Sequence, residues 1–259
     1  MKIVIISLLS PRDIIVVQEI IRNFDNVTLI HLYGIPKNKN IKVNKWINSR
    51  GIKIRKKIQK IKMLKFFEKI KYDGLIYEKI SLPSREVNTE KGMALIQGLN
   101  PDIVFTSGAP LLKEFIIRIP KIASINTHFG CSPFYRGNDT LFWALFYNDY
   151  NHLGGCLHYI TKGVDTGNIL VQVRPEVEQG DGEISLTIKI STMLAKASVY
   201  ILTLIQNCEA LPNGKVQVPR GRNFKASERS LLIDLKFLLF TVMGYNKVIP
   251  SKGRIDYFV

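Results

Sequence analysis

Short apolar, β-branched runs alternate with helix-spaced patterns along most of the chain. Residues 2–8 (KIVIISL) and 27–33 (VTLIHLY) read as strands flanking a helical stretch at 13–24. The run 73–80 precedes a helix near 86–98, and 101–107 precedes one near 110–117. Residues 122–126 form a further strand, followed by a helix near 139–148 and strands at 154–160 and 168–174. Asp181 is expected to cap a long helix near 183–207, whose Ile190, Leu194, Ala197, Ile201 and Ile205 recur at helical spacing. This alternation predicts parallel pairing and a mostly parallel, doubly wound α/β sheet. Ligands of such sheets sit beyond the carboxyl ends of the strands.

The rest of the chain changes that picture in places. Residues 218–230 read as a break and 231–245 as an apolar helix, too short for a bilayer core of ~30 Å. Such a helix docks on the sheet or makes a homodimer contact. The expected division is a catalytic unit at 1–210 and a C-terminal extension at 211–259. With 259 residues, 46% of them hydrophobic, the chain can bury one large core. Its three cysteines, Cys131, Cys156 and Cys208, have no CxxC spacing, which argues against a disulfide framework or a zinc site. The N-terminus, MKIVIISLLSPRD, lacks a small-residue cleavage site and reads as a first strand. A reducing, cytoplasmic setting is expected.

Charge is confined to one element. The net charge is +16, and residues 37–71 alone hold fourteen Lys or Arg against Glu68, contributing +13. Ile54, Ile58, Ile61, Leu64, Phe67 and Ile70 recur there at spacings of three and four, predicting an amphipathic helix with a cationic face. A surface helix in a lysine-rich chain is the plain reading. Weak contact with an anionic membrane surface is the alternative, at ~1 kcal/mol per basic residue. Nucleic acid is disfavoured, because the segment has no Gly-rich or RNP-type pattern.

The stretch INTHFGCSPFYRGND (125–139) carries the chemistry. On a strand, residues two apart share a face, so Asn126 and His128 can aim an amide and an imidazole at one point. Asp165, in the Gly-flanked loop TKGVDTGNIL, supplies a carboxylate. A neutral imidazole takes a proton from an amine, a carboxylate orients it, and an amide N–H stabilises an oxyanion by ~3 kcal/mol. None of the three is a strong nucleophile, so direct acyl transfer to an amine suits them better than a covalent intermediate. They also make no metal site: Asn is a poor ligand, and no second His or Cys stands at metal spacing.

Here the chain resembles the formyltransferases that use 10-formyltetrahydrofolate, from about Met1 to Asn207 and most densely over 100–172. NPDIVFTSGAPLLKEFI resembles that family's strand and folate loop, and INTHFGCSPFYRG its Asn-x-His motif with Pro133, Arg136 and Gly137 in register. GGCLHYITKGVDTGNILVQ is similar to its second histidine segment with Asp-x-Gly. The resemblance implies a Rossmann-like catalytic domain with Asn126 as oxyanion donor, His128 as base and Asp165 as its orienting acid. It implies 10-formyltetrahydrofolate as co-substrate, walled by Pro110, Leu111, Leu112, Lys162, Gly163 and Asp165. Arg136, Gly137 and His158 fall at acceptor-side positions, although strand spacing equally allows His158 to be a hydrogen-bonded wall residue.

Departures from the family pattern narrow the acceptor. Members acting on glycinamide ribonucleotide carry a Gly-Ser-Gly phosphate loop after the first strand, where this chain reads SLLSPRD. Members acting on initiator tRNA carry a C-terminal barrel, for which the 94 residues after Asp165 leave no room. The formate-releasing hydrolases carry an N-terminal regulatory domain, and here the first strand comes first. Gly130, Cys131, Ser132 and Cys156 replace bulkier or more polar family residues, predicting a small, slightly open wall beside the site. The expected activity is N-formylation of a nucleotide-linked amino sugar for surface polysaccharide. The alternatives are an aminoacyl-tRNA or other amine acceptor, and a non-catalytic folate-fold protein at a membrane.

Overall fold

The computed structural model describes residues 1–34, 57, 61, 77–207, 211–218, 221–245 and 249–259. The basic segment 37–71 lies outside the described residues, apart from Lys57 and Ile61.

Eight strands form the main sheet. They are β1 (Ile3–Ser7), β2 (Val27–Tyr33), β3 (Glu78–Pro83), β4 (Ile103–Ser107), β5 (Ala123–His128), β7 (Gly155–Tyr159), β8 (Ile169–Arg174) and β10 (Arg254–Tyr257). Their order is β10-β8-β7-β5-β4-β1-β2-β3. From β3 to β5 all pairs are parallel, as the alternation predicts. From β5 outward the pairs β5–β7, β7–β8 and β8–β10 are antiparallel. For β7–β8 the cause is simple: loop 160–168 joins them with no crossover helix, and so short a link can only reverse direction. Strand β10 of the C-terminal extension, not anticipated from the sequence, completes the edge.

Helices α1 (Pro11–Asn23), α2 (Glu90–Gly98), α3 (Glu114–Ile117), α4 (Thr140–Phe146) and α5 (Glu183–Asn207) cover the two faces, and α6 (Leu231–Val242) lies outside them. Period two along β1 splits the core. Ile3 and Ile5 join α1, α4 and α5, whereas Val4 and Ile6 join Ile96 and Ile116 on the other face. Pro11 opens α1 behind Ser10, where a missing N–H costs nothing. The α5 stripe is buried as expected. By length and composition α5 could cross a membrane, but half of its apolar window is buried within the protein.

Helix α6 begins at Ser230, whose hydroxyl accepts the Ile233 N–H. It docks on α4 rather than on the sheet: Phe237 meets Phe142 edge-on at 5.1 Å. A small second sheet pairs β6 (Tyr135–Gly137) with β9 (Arg222–Phe224). Phe224 stacks on Tyr135 and Trp143 at 5.6 and 5.2 Å, and Arg229 is bound by Glu183, Asp234 and Asp139 over the Phe142 ring. The extension thereby grips the segment that follows His128.

Candidate active site

Asn126 and His128 both lie on β5, which runs two residues further than the sequence pattern indicates. In register, Asn126 has Thr106 of β4 on one side and His158 of β7 on the other. The three side chains form a row across the sheet. The Thr106 hydroxyl donates to Asn126 Oδ1 at 2.6 Å, and Asn126 Nδ2 lies 3.1 Å from His158 Nε2. His158 Nδ1 donates to the Tyr159 carbonyl at 2.7 Å, an acceptor with no proton to give. In the neutral ring Nε2 is therefore bare and accepts from Asn126. The amide is held at both ends, and one Nδ2 hydrogen is left over for the cavity. An irregularity in the β7–β8 ladder falls at His158, where bulges re-aim side chains.

His128 Nε2 donates to the Tyr135 carbonyl at 3.0 Å, so neutral His128 keeps its lone pair on Nδ1. Nδ1 lies 3.4 Å from Asp165 Oδ2, and Asp165 Oδ1 lies 3.4 Å from His158 Nε2. Burial lowers the His128 pKa, and the opposing pull of Asp165 does not overcome it. For Asp165, burial by itself pushes the carboxyl up. The charge that His128 carries when protonated, the neighbouring His158 ring and the Gly137 N–H at 2.8 Å outweigh it and hold the group below the usual carboxylate range. A neutral base thus faces a fixed anion. Asp165 adopts φ +47°, a left-handed conformation costly for a non-glycine residue and concentrated at functional sites.

The expected open wall is not there. A Cβ on Gly130 would lie 2.4 Å from His128 Nε2, so the absent side chain makes room for the His128–Tyr135 bond. Cys131, Ser132 and Cys156 are fully buried and none lines the cavity. The cavity itself, of about 320 Å³, opens at the carboxyl ends of β1, β4 and β5, with His158 of antiparallel β7 and the loop that follows it as one wall. It brings together Asn126, His128, His158, Asp165 and Gly137 with Pro110, Leu111, Leu112 and Gly163. Asn88 braces the 110–113 loop, donating to the Leu111 carbonyl and accepting from the Lys113 N–H.

Two expected residues do not line it. Lys162 is absent from the wall, and Arg136 turns away, donating to the Val164 carbonyl at 3.3 Å and the Gly221 carbonyl at 2.9 Å. Arg136 thus ties the Asp165 loop to the C-terminal extension. Sequence reasoning missed Thr106 and Arg12. A hydroxyl at the carboxyl end of β4, beside an amide-bearing strand, was the available signal for Thr106. For Arg12 there was none beyond its place after β1.

A family model described as formyl transferase matches residues 48–202. The bifunctional polymyxin resistance protein ArnA of Wigglesworthia glossinidia brevipalpis is 36% identical over 138 residues, 53% of this chain and 20% of that protein. A methionyl-tRNA formyltransferase of Caldicellulosiruptor saccharolyticus is 33% identical over 126 residues, 48% of this chain and 40% of that protein. The matches span less than half of either relative. Among solved structures, a sugar N-formyltransferase from Shewanella sp. superposes with TM-score 0.58 at 15% identity, over 97% of this chain and 96% of that one. A formyltransferase from Anoxybacillus kamchatkensis, in complex with UDP-4,6-dideoxy-4-formamido-L-AltNAc and tetrahydrofolate, has TM-score 0.53 at 18% identity, over 96% and 95%. These two likenesses concern the fold. With the family model covering more than half of its residues, the chain belongs to the formyl transferase family.

Proposed function

We propose that the protein is an N-formyltransferase that moves the formyl group of 10-formyltetrahydrofolate to the amine of a nucleotide-linked amino sugar. The observation that carries this reading is the convergence of the Asn126 amide, the bare Nδ1 of His128 and the Asp165 carboxylate in one cavity. The free amine attacks the formyl carbon, and the oxygen becomes an oxyanion that accepts the second Nδ2 hydrogen of Asn126. His128 Nδ1 takes the proton that the amine loses, and Asp165 steadies the resulting imidazolium. The carbon–N10 bond then breaks and the proton held by His128 passes to N10, leaving tetrahydrofolate, a formamide and the neutral imidazole. No covalent enzyme intermediate is needed. Pro110, Leu111, Leu112 and Gly163 form the pterin walls in this reading.

The ligands of the Anoxybacillus protein suggest the acceptor class to try first. We assign the enzyme to the cytoplasm and to surface-polysaccharide assembly. Residues 1–210 serve as catalytic unit and 211–259 as extension. A second reading, an aminoacyl-tRNA acceptor, is favoured by the named activity of the Caldicellulosiruptor relative. One experiment separates them: incubation with 10-formyltetrahydrofolate and either a panel of nucleotide-linked amino sugars or methionyl-tRNA, following tetrahydrofolate release. Turnover of methionyl-tRNA alone would replace the first reading with the second.

A further inference from the structure

Arg12 stands just beyond β1, at the end of the cavity away from Asp165 in the strand order. Its guanidinium carbon lies 4.3 Å from the centroid of the Phe129 ring, the residue directly after His128. Phe129 is buried, so the ring is a fixed shelf, whereas the Arg12 side chain is 43% exposed. Its nearest carboxylate is Asp13, with Nε 3.8 Å from Oδ1. That carboxylate is buried and already accepts from the Ser10 and Ser107 hydroxyls, with Gly108 packed against it. Among the described residues, the terminal nitrogens of Arg12 have no hydrogen-bond acceptor. The other charged group on the cavity wall, Asp165, is committed to Gly137 and the two histidines. The cavity is therefore polarised, with an engaged anion at the β7 end and a guanidinium with spare donors at the β1 end.

We propose that Arg12 is the anion subsite of the acceptor, binding a phosphate of the nucleotide-linked substrate. A planar guanidinium, pre-set by stacking on an aromatic ring, suits a phosphate oxygen pair. The subsite replaces a backbone cradle with a side-chain cation, within the same SLLSPRD segment that lacks glycine. It also orients the acceptor. The apolar walls at 110–112 and 163 occupy the β4-to-β7 stretch, so an acceptor anchored at β1 presents its amine to His128 and Asn126 from the opposite side. The positive charge adds to the influences that keep His128 neutral and ready to take a proton.

This inference rests on the acceptor reading above, and its test is separable from that reading. Binding of inorganic pyrophosphate, UDP, dTDP and the unphosphorylated nucleosides is measured by calorimetry for the wild type, Arg12→Gln and Arg12→Lys. Loss of a charge-assisted pair predicts that Arg12→Gln binds the diphosphates about tenfold or more weakly, with nucleoside binding unmoved and Arg12→Lys in between. The KM for 10-formyltetrahydrofolate should stay constant. Equal diphosphate affinity in wild type and Arg12→Gln overturns the proposal. So does a raised KM for the folate alone, which would give Arg12 to the glutamyl carboxylate instead. If no nucleotide-linked sugar is turned over by the wild type, the functional reading fails while the diphosphate measurements still judge Arg12.

Discussion

Replacing Thr106 with Val keeps the shape of a buried strand residue and removes one hydroxyl. That hydroxyl is the donor to Asn126 Oδ1 at 2.6 Å, the contact that stops the amide from turning. A side-chain hydrogen bond contributes about 1 kcal/mol net, and a buried oxygen left without a donor costs about 1–3 kcal/mol. Asn126 is only partly buried at the cavity wall, so water can reach Oδ1 and the lower end of that range applies. Losing the oxyanion donor outright costs about 10²–10³ in kcat. Losing its alignment by about 1–1.4 kcal/mol corresponds to a five- to tenfold fall. Stopped-flow or steady-state release of tetrahydrofolate should thus show kcat down five- to tenfold in Thr106→Val, both KM values near wild type, and recovery in Thr106→Ser. Wild-type kcat in Thr106→Val would refute the reasoning, as would a Ser variant no better than the Val one.

Asn126→Ala and His128→Ala should each lower kcat by about a hundredfold or more with folate affinity retained, measured by turnover and by equilibrium binding. Because burial lowers the His128 pKa, the rate should stay level from neutral pH down past the ordinary imidazole range before its acid limb begins. Asp165→Asn removes an influence that raises that pKa, so the limb should move to still lower pH and the plateau should drop, read with an acceptor of known amine pKa. Stability has a matching dependence. Unfolded His128 takes up a proton below about pH 6.5 that the folded ring resists, so urea midpoints should fall as pH drops through that value. Further acid, below about 3.9, adds the loss of the Asp165 carboxylate, and His128→Asn should remove the upper part and reduce the lower one, since His128 helps hold Asp165 down. Phe224→Ala should destabilise by about 3–5 kcal/mol, checked by denaturant titration, since its buried ring joins Tyr135 and Trp143.

Periodicity located β1, β2 and β4 well because they are mostly apolar and buried on both faces, the mark of a covered parallel sheet. It misjudged pairing direction for β7 and β8, since direction depends on what joins two strands and not on their composition. Asn126 and His128 were legible as a pair from their spacing on one strand. The Thr106–Asn126–His158 row was not, because cross-strand register is a tertiary fact. Arg136 shows the opposite error. An arginine beside a motif invites a substrate, yet its donors serve two backbone carbonyls that only the folded chain brings near.

The hold of β9 on β6 has a consequence for when activity arises. Asn126, His128 and Asp165 are all synthesised well before residues 221–229. Until those residues arrive, Arg136 lacks the Gly221 carbonyl, Tyr135 lacks the Phe224 ring and Asp139 lacks Arg229. Each of these lies within a few residues of Gly137, whose N–H fixes Asp165. A nascent or clipped chain ending near residue 215 would carry every group the proposed transfer uses and still leave them unaligned. Turnover by the proposed transfer should therefore appear late and abruptly as the chain lengthens.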